Sequence, residues 1–348
     1  MKKEENIIVG ISIGDLNGIG AEIILKTFED SRILEFCTPV LFASVKTMTF
    51  LKNHFKVNVA FNGINNAESI LPKKINVWNI WNDFIKINFG NEDLKIGEYA
   101  IKSLTAATKA LKNGNIDVLV TAPINKHSIQ SEAFQFPGHT NYLEQELEGN
   151  SLMFMVSNTL RVGLLTDHVP VKDVATHITP KRIQEKIDTV YQSLQKDFKI
   201  RKPKIAILGI NPHTGDNGVI GEEDDTVMRP TLEAIKKTGK LVYGPYAADS
   251  FFGSNNYTNF DAVIASYHDQ GLIPFKTLAF GQGVNYTAGL NKIRTSPDHG
   301  TAFEIAGKNM ADPSSFKEAV FKAIEIFKNR KEYLELNKNP LKFNQKKI

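Results

Sequence analysis

Short apolar runs alternate with amphipathic stretches along most of this chain. The runs NIIVGISI (6–13), TPVLFAS (38–44), DVLVTA (117–122), PKIAILGI (203–210) and DAVIAS (261–266) have the length and β-branched content of buried strands. Helical patterns stand between them. AEIILKTFED (21–30) follows the first run. GEYAIKSLTAATKALKNG (97–114) places Ile101, Leu104, Ala107 and Leu111 on one face and ends on glycine. TPKRIQEKIDTVYQSLQKDF (179–198) opens with Thr179 as N-cap and Pro180 in the first helical position. SFKEAVFKAIEIFKN (315–329) opens with a capping box from Ser315 to Glu318. The alternation predicts an α/β fold with a largely parallel sheet. Residues 50–95 carry no regular pattern. No repeat, low-complexity segment or linker divides the chain, which argues for two lobes that exchange strands.

Composition narrows the class. With 348 residues, 42% hydrophobic and 23% charged, the chain is long enough for an ample soluble core. The net charge of +4 is small, and much of the lysine excess lies in the C-terminal stretch KNRKEYLELNKNPLKFNQKKI, a solvated helix and tail. No basic module for nucleic acid is present. The single cysteine, Cys37, excludes an intrachain disulfide framework and a cysteine zinc cluster, and reads as a small buried hydrophobe. No apolar stretch approaches the ~18 residues of a membrane span, and MKKEENIIVGISIG lacks a signal-peptide core. The expectation is a cytoplasmic protein without nucleic-acid or membrane partners.

The polar residues fall at the ends of the apolar runs, where open α/β sheets bind ligands. LRVGLLTDHVP (160–170) ends in Thr166-Asp167-His168, IAILGINPHTGDNG (205–218) leads into Asn211-Pro212-His213, and DAVIASYHDQG (261–271) into His268. DVLVTAPINKH (117–127) ends in Thr121, Asn125 and Lys126. Each histidine alone reads as a loop or core imidazole bonded to a carbonyl. Three of them, each after a strand, also fit a divalent-metal site if the strands are neighbours or come from facing subunits. The loop GDLNGIGAE (14–22) fits neither the dinucleotide nor the P-loop pattern, and is a tight turn or an anion nest. FPGHTNYLEQ (136–145) sets His139 and Thr140 after a glycine. VNYTAGLNKIRTSPDHGTAFEIAGKN (284–309) is too polar for a core and too glycine-rich for a plain helix; it is a solvated loop or a site. Its Arg294 can clamp a phosphate or carboxylate, with Lys276 upstream as a second cation.

Taken in order, TAPINK, FPGHT, TDHVP, NPHTGDNGVIGEED, GPYAADSFF, YHDQGLIPFK and NYTAGLNKIRTSPDHGTAFEIAGK resemble the 4-hydroxythreonine-4-phosphate dehydrogenase family of pyridoxal-phosphate biosynthesis, from about residue 8 to 330. The resemblance implies two α/β lobes flanking a cleft, as in isocitrate and isopropylmalate dehydrogenases, divided as 1–137 plus 296–348 and 138–295. It implies NAD(P)-dependent oxidation of 4-phosphooxy-threonine at C3 with decarboxylation to 3-amino-2-oxopropyl phosphate; a sister activity on 4-phospho-threonate or -erythronate is the alternative. His168, His213 and His268 match the family's metal ligands (Zn, Mg, Co or Mn), shared across a homodimer. His139, Thr140, Lys276, Asn285 and Arg294 match substrate-binding positions. Asp298, His299, Gly300 and Thr301 fall in the loop implied to hold NAD or NADP. Lys276, Asp249 and Asp269 are the candidate proton carriers. Two departures bear on substrate scope: Asn141 stands where the family has an acidic residue after Gly-His-Thr, and GDLNGIGAE replaces the usual Glu-Pro-Ala form of the first loop.

Overall fold

The computed structural model describes residues 6–132, 134–279 and 281–339. Its strands are β1 (Ile7–Ser12), β2 (Cys37–Ala43), β3 (Phe61–Ile64), β4 (Ile75–Asn79), β5 (Val118–Thr121), β6 (Gly149–Val156), β7 (Arg161–Leu164), β8 (Lys204–Leu208), β9 (Leu241–Tyr246), β10 (Ala262–Ala265), β11 (Val284–Leu290) and β12 (Arg294–Pro297). They form one sheet in the order 3-4-2-1-5-12-11-6-7-10-8-9. The strands from β3 to β12 run parallel, as do those from β7 to β9. Antiparallel pairing through β12, β11, β6 and β7 joins these two wings. The helices are α1 (Gly20–Glu29), α2 (Val45–Phe55), α3 (Leu94–Lys112), α4 (His139–Glu146), α5 (Val174–His177), α6 (Pro180–Lys196), α7 (Arg229–Lys237), α8 (Ala248–Gly253), α9 (His268–Leu278) and α10 (Ser314–Leu336).

Each predicted strand is present, within two residues at either end. Thr179 caps α6 by accepting from the Arg182 N–H, with Pro180 in the first turn. The capping box at Ser315 is not formed. The helix starts one residue earlier, and Asp312 accepts from the Ser314 N–H at 2.9 Å instead. That leaves the Ser315 hydroxyl for the Gly283 carbonyl and the Asp298 carboxylate, at 2.9 and 3.0 Å. The unpatterned region 50–95 holds most of α2, then β3 and β4, the edge of the first wing, followed by an irregular run up to α3.

The two faces of the sheet are filled differently. On one, α1, α2, α6, α7 and α10 close a single apolar core running from Val9 and Ile11 through Phe154, Tyr286 and Phe316 to Ile205 and Ile264. On the other, the cluster of Phe42, Leu104, Leu119, Phe134 and Leu143 under α3 and α4 is separate from that of Val162, Leu164, Val263, Leu272 and Phe275 under α9. Between these clusters the antiparallel strands are left open as a cleft. Helix α3 is seated against the loop that borders it: a methyl on Gly97 would lie 1.7 Å from the Ser128 carbonyl oxygen. Gly97→Ala is therefore expected to destabilise the fold by about 3 kcal/mol, measurable by urea denaturation; an unchanged midpoint would show that this loop yields freely.

Candidate active site

Strand alternation builds the floor of the cleft. In the pairing registers Ser296, Asn285 and Met155 lie side by side, and Thr287 stands beside Met153 one step further along. Arg294 pairs with Leu119, two residues before Thr121, so all of these point to one face. The intervening residues, Thr295, Tyr286 and Phe154, face the continuous core. The run 284–297, which read as either a loop or a site, is therefore two strands with a polar upper face.

The cleft has a volume of about 380 Å³, within the range of small-ligand sites. Helix α9 contributes His268, Leu272 and Lys276, four residues apart and hence on one helical face. The start of α4 contributes His139 and Thr140, followed by Asn141. Asp167 and His168 come from the loop after β7, Lys126 from the loop after β5, and Asp298, His299 and Gly300 from the turn after β12. Thr301 lies behind this turn, its carbonyl accepting from the Ile19 N–H at 3.0 Å, so the first glycine-rich loop supports the 298–301 stretch.

Arg294 is the most constrained group. It is 2% exposed. Its Nε and Nη2 donate to the Thr121 hydroxyl at 3.1 and 2.6 Å, and Nη1 to that of Thr287 at 3.1 Å. No carboxylate among the described residues pairs with it. Burial alone pulls its pKa down to about 9, so it remains a cation at neutral pH without a counter-ion. His139 is half-buried beside it, and its Nε2 is enclosed without a hydrogen-bond partner. Burial first, and the Arg294 charge second, hold His139 well below the usual imidazole range, so it is neutral. The Asn285 Oδ1 and His299 Nε2 are likewise enclosed and unpartnered. This array of a bare guanidinium, a neutral imidazole and an amide fits an anion.

His168 and His268 face each other with ring centroids 5.9 Å apart. Nδ1 of His268 is 2.7 Å from Asp269 Oδ1, and Nδ1 of His168 is 3.8 Å from Asp167 Oδ2. Both rings thus have Nδ1 turned to a carboxylate and Nε2 left for a ligand, the arrangement that orients metal-binding imidazoles. The His168 contact holds the Asp167 carboxyl well below the usual carboxylate range.

His213 is elsewhere. It lies on the loop after β8, where every residue from His213 to Gly218 has positive φ, including the β-branched Thr214 at 55°. Such a run is strained for non-glycine residues. It is held by the buried Asp224, which accepts from the N–H groups of Ile210 and Asn211 at 2.9 Å each, and by Arg229 Nη2 donating to the Thr214 hydroxyl at 2.9 Å. Among the described residues no cluster of three or more His, Cys, Asp or Glu side chains could hold a metal. Asp249 lies in a neighbouring, flatter groove together with the side of Asp269, Phe252, Ile273 and Leu278.

Sequence reasoning placed Ser296 among the crowded polar residues of 284–309 without a role, did not single out Thr287, Met153 and Met155, and did not give Thr121 its role in holding Arg294. Period-two alternation in VNYTAGL is the signal that could have found Thr287; the apolar run LMFMV carries none for Met153 and Met155.

Behind the cleft, Asp15 in the first glycine-rich loop is 1% exposed and its Oδ2 has no partner. Burial raises its pKa from 3.8 to about 6, partly offset by the Asn17 N–H. A carboxyl raised in the fold favours folding most below its unfolded pKa, and that advantage fades as pH climbs from about 4 to about 6. Relative to Asp15→Asn, the protein should thus lose about 2–3 kcal/mol of stability between pH 4 and 7. Parallel stability curves for the two proteins across that range would show that Asp15 titrates normally.

Comparison with known proteins finds relatives over most of the chain. Residues 35–323 match the family model described as pyridoxal phosphate biosynthetic protein PdxA. A 4-hydroxythreonine-4-phosphate dehydrogenase of Bacteroides thetaiotaomicron is 47% identical over 342 residues, covering 98% of this chain and 94% of that protein. A D-threonate 4-phosphate dehydrogenase of Cupriavidus necator is 35% identical, covering 93% and 98%. The crystal structure of a 4-hydroxythreonine-4-phosphate dehydrogenase from Klebsiella pneumoniae superposes with a TM-score of 0.80 at 30% identity, covering 94% of this chain and 99% of that one.

Proposed function

The chain belongs to the PdxA family of pyridoxal phosphate biosynthetic proteins, and from that premise we propose that its cleft oxidises 4-phosphooxy-threonine at C3 and releases CO2, giving 3-amino-2-oxopropyl phosphate. The observation that carries this reading is Arg294, a buried cation without a counter-ion at the centre of a polar floor. Arg294, Lys276, His139, Thr140 and Asn285 bind the substrate's phosphate and carboxylate. Lys276 is the candidate that moves a proton, since it lines the cleft while Asp269 is engaged with His268 and Asp249 faces the neighbouring groove. Met153, Met155 and Leu272 form the apolar part of the wall that excludes water. Asp298, His299, Gly300 and Thr301 hold the nicotinamide cofactor on the first-wing side.

The two imidazoles fit a divalent ion, with Nδ1 of each turned to a carboxylate and Nε2 left to ligate. When bound, the ion supplies Lewis-acid stabilisation of oxygen charge and the nicotinamide accepts the hydride. We further propose that His213 completes this set from a second copy of the chain. Val219 and Ile220, at the tip of the His213 loop, are 81% and 43% exposed, and Ile273 and Leu278, beside the neighbouring groove, are 64% and 45% exposed. An isologous dimer would seat each tip against the partner's groove. The proposed lobes, 1–137 with 296–348 and 138–295, follow the two wings in the main, with the second boundary falling inside β12 and α4 packing across onto the first wing.

No helix among the described residues is long and apolar enough to cross a membrane. The test of the reaction is reduction of NAD and NADP by chelator-stripped protein, with and without divalent metal, on 4-phosphooxy-threonine and 4-phospho-threonate side by side. Metal-restored turnover of the amino acid is expected. Turnover of the sugar acid alone would move the substrate and make Asn141 the first residue to exchange. No turnover of either would sink the reading.

A further inference from the structure

Directly beneath the cleft floor lies a buried polar cluster whose side chains do not line the cleft. Tyr286 points away from the cleft, opposite to its neighbours Asn285 and Thr287, and is fully buried. Its hydroxyl donates to Asp197 Oδ2 at 2.6 Å and accepts from Arg330 Nη2 at 2.8 Å. Arg330 Nε donates to Asp197 Oδ1 at 2.8 Å, and Nη1 to the carbonyls of Leu290 and Asn291 at 3.2 Å each. The Ser193 hydroxyl donates to Asp197 Oδ2, and Asn329 Nδ2 to the Asp197 carbonyl, both at 2.8 Å.

The cluster spans the two wings. Arg330 and Asn329 sit on α10, which also accepts the Thr295 hydroxyl of β12 at the Ala319 carbonyl. Ser193 lies near the end of α6 and Asp197 is its C-terminal cap; α6 belongs to the chain segment that builds the second wing. They meet where β11 turns into β12, the hairpin that carries Asn285, Thr287, Arg294 and Ser296. A buried ion pair adds little net stability compared with apolar groups of the same volume. What a guanidinium fork does impose is geometry, because its donors reach only acceptors in fixed directions. We propose that Asp197, Tyr286 and Arg330 are positioning residues that fix the β11–β12 hairpin against α6 and α10, and so hold Arg294 and Asn285 in place for the phosphorylated substrate.

This rests on the cleft being the substrate site, so the test includes inorganic phosphate as a probe independent of turnover. In the full-length Tyr286→Phe protein, well below its melting temperature, calorimetric phosphate affinity should weaken about tenfold and KM for the phosphorylated substrate rise ten- to a hundredfold, with KM for the nicotinamide cofactor moving less than about twofold. The double variant Asp197→Leu with Arg330→Met, which leaves no lone buried charge, should fold and show the same split. A Tyr286→Phe protein that melts earlier yet matches wild type in phosphate affinity and in both KM values would overturn the proposal. If wild type binds phosphate but turns over neither substrate, the reaction assigned to the cleft is wrong, and the phosphate comparison still decides the positioning claim. No phosphate binding by wild type would overturn both.

Discussion

Arg294→Met should lower kcat/KM for the phosphorylated substrate by about 10²–10³-fold, the loss expected when one partner of a buried charge pair is removed, while the melting temperature stays level or rises. The two halves of this expectation have one cause. Without its anion, Arg294 is a desolvated cation supported, among the described residues, by the hydroxyls of Thr121 and Thr287. Folding therefore works against its hydration, which is why its pKa falls to about 9. Methionine has similar length, needs no counter-charge and adapts to irregular space, and the two threonine hydroxyls can rotate to other acceptors. Below about pH 9 the guanidinium stays charged, so the stability gap between the proteins should be flat across the neutral range. A variant that binds inorganic phosphate as tightly as wild type would remove Arg294 from the site. One that melts far earlier would make it a strut of the β5–β12–β11 junction instead.

The second large effect concerns His213. Alone, His213→Ala and His268→Ala should each lose turnover by about 10²-fold or more and fail to retain the divalent ion, as expected when a metal ligand is removed. Mixed, unfolded together and refolded, they should regain about a quarter of wild-type activity. Random pairing makes half of the dimers mixed, and each mixed dimer has one site with all three histidines and one lacking two. No such recovery is possible if the ligands come from a single chain, because every chain in the mixture lacks one. A mixture as inactive as its components, with dimers present by light scattering, would sink the shared site. Full activity in His213→Ala alone would remove that residue from the chemistry.

These expectations bear on what the chain discloses before it is folded. The parallel wings were legible because β1, β2, β5, β8 and β10 are buried on both faces, and such strands read as unbroken apolar runs. The strands of the cleft floor were not. β6, β11 and β12 face a core on one side and a ligand space on the other, so polar residues such as Ser151, Asn285, Thr287, Arg294 and Ser296 stand among apolar ones, with Gly289 at a φ of 85°. That mixture reads as a loop when the ligand is absent from the argument. The candidate residues were legible from their place after strands and from the family motifs, yet their grouping was not. His168 and His268 meet because β7 and β10 are neighbours in the sheet, which no spacing in the sequence states. His213 follows β8, adjacent to β10, but its left-handed turn carries it out of the cleft. The capping box at Ser315 failed for a related reason: the hydroxyl is needed by Asp298, in the turn that follows β12.

The placement of β12 has a consequence for synthesis of the chain. Strand β5 is complete by residue 121, yet the partner on its open side is not made until residue 294. On the ribosome, the first wing must wait with that edge unpaired while some 170 further residues emerge, at about 10–30 s for ordinary elongation. Helix α10, which covers the junction, comes later still. An unpaired strand edge invites pairing with other chains, so nascent forms truncated between β5 and β12 should be the aggregating species. Shielding them is a task for chaperones acting during translation rather than after release.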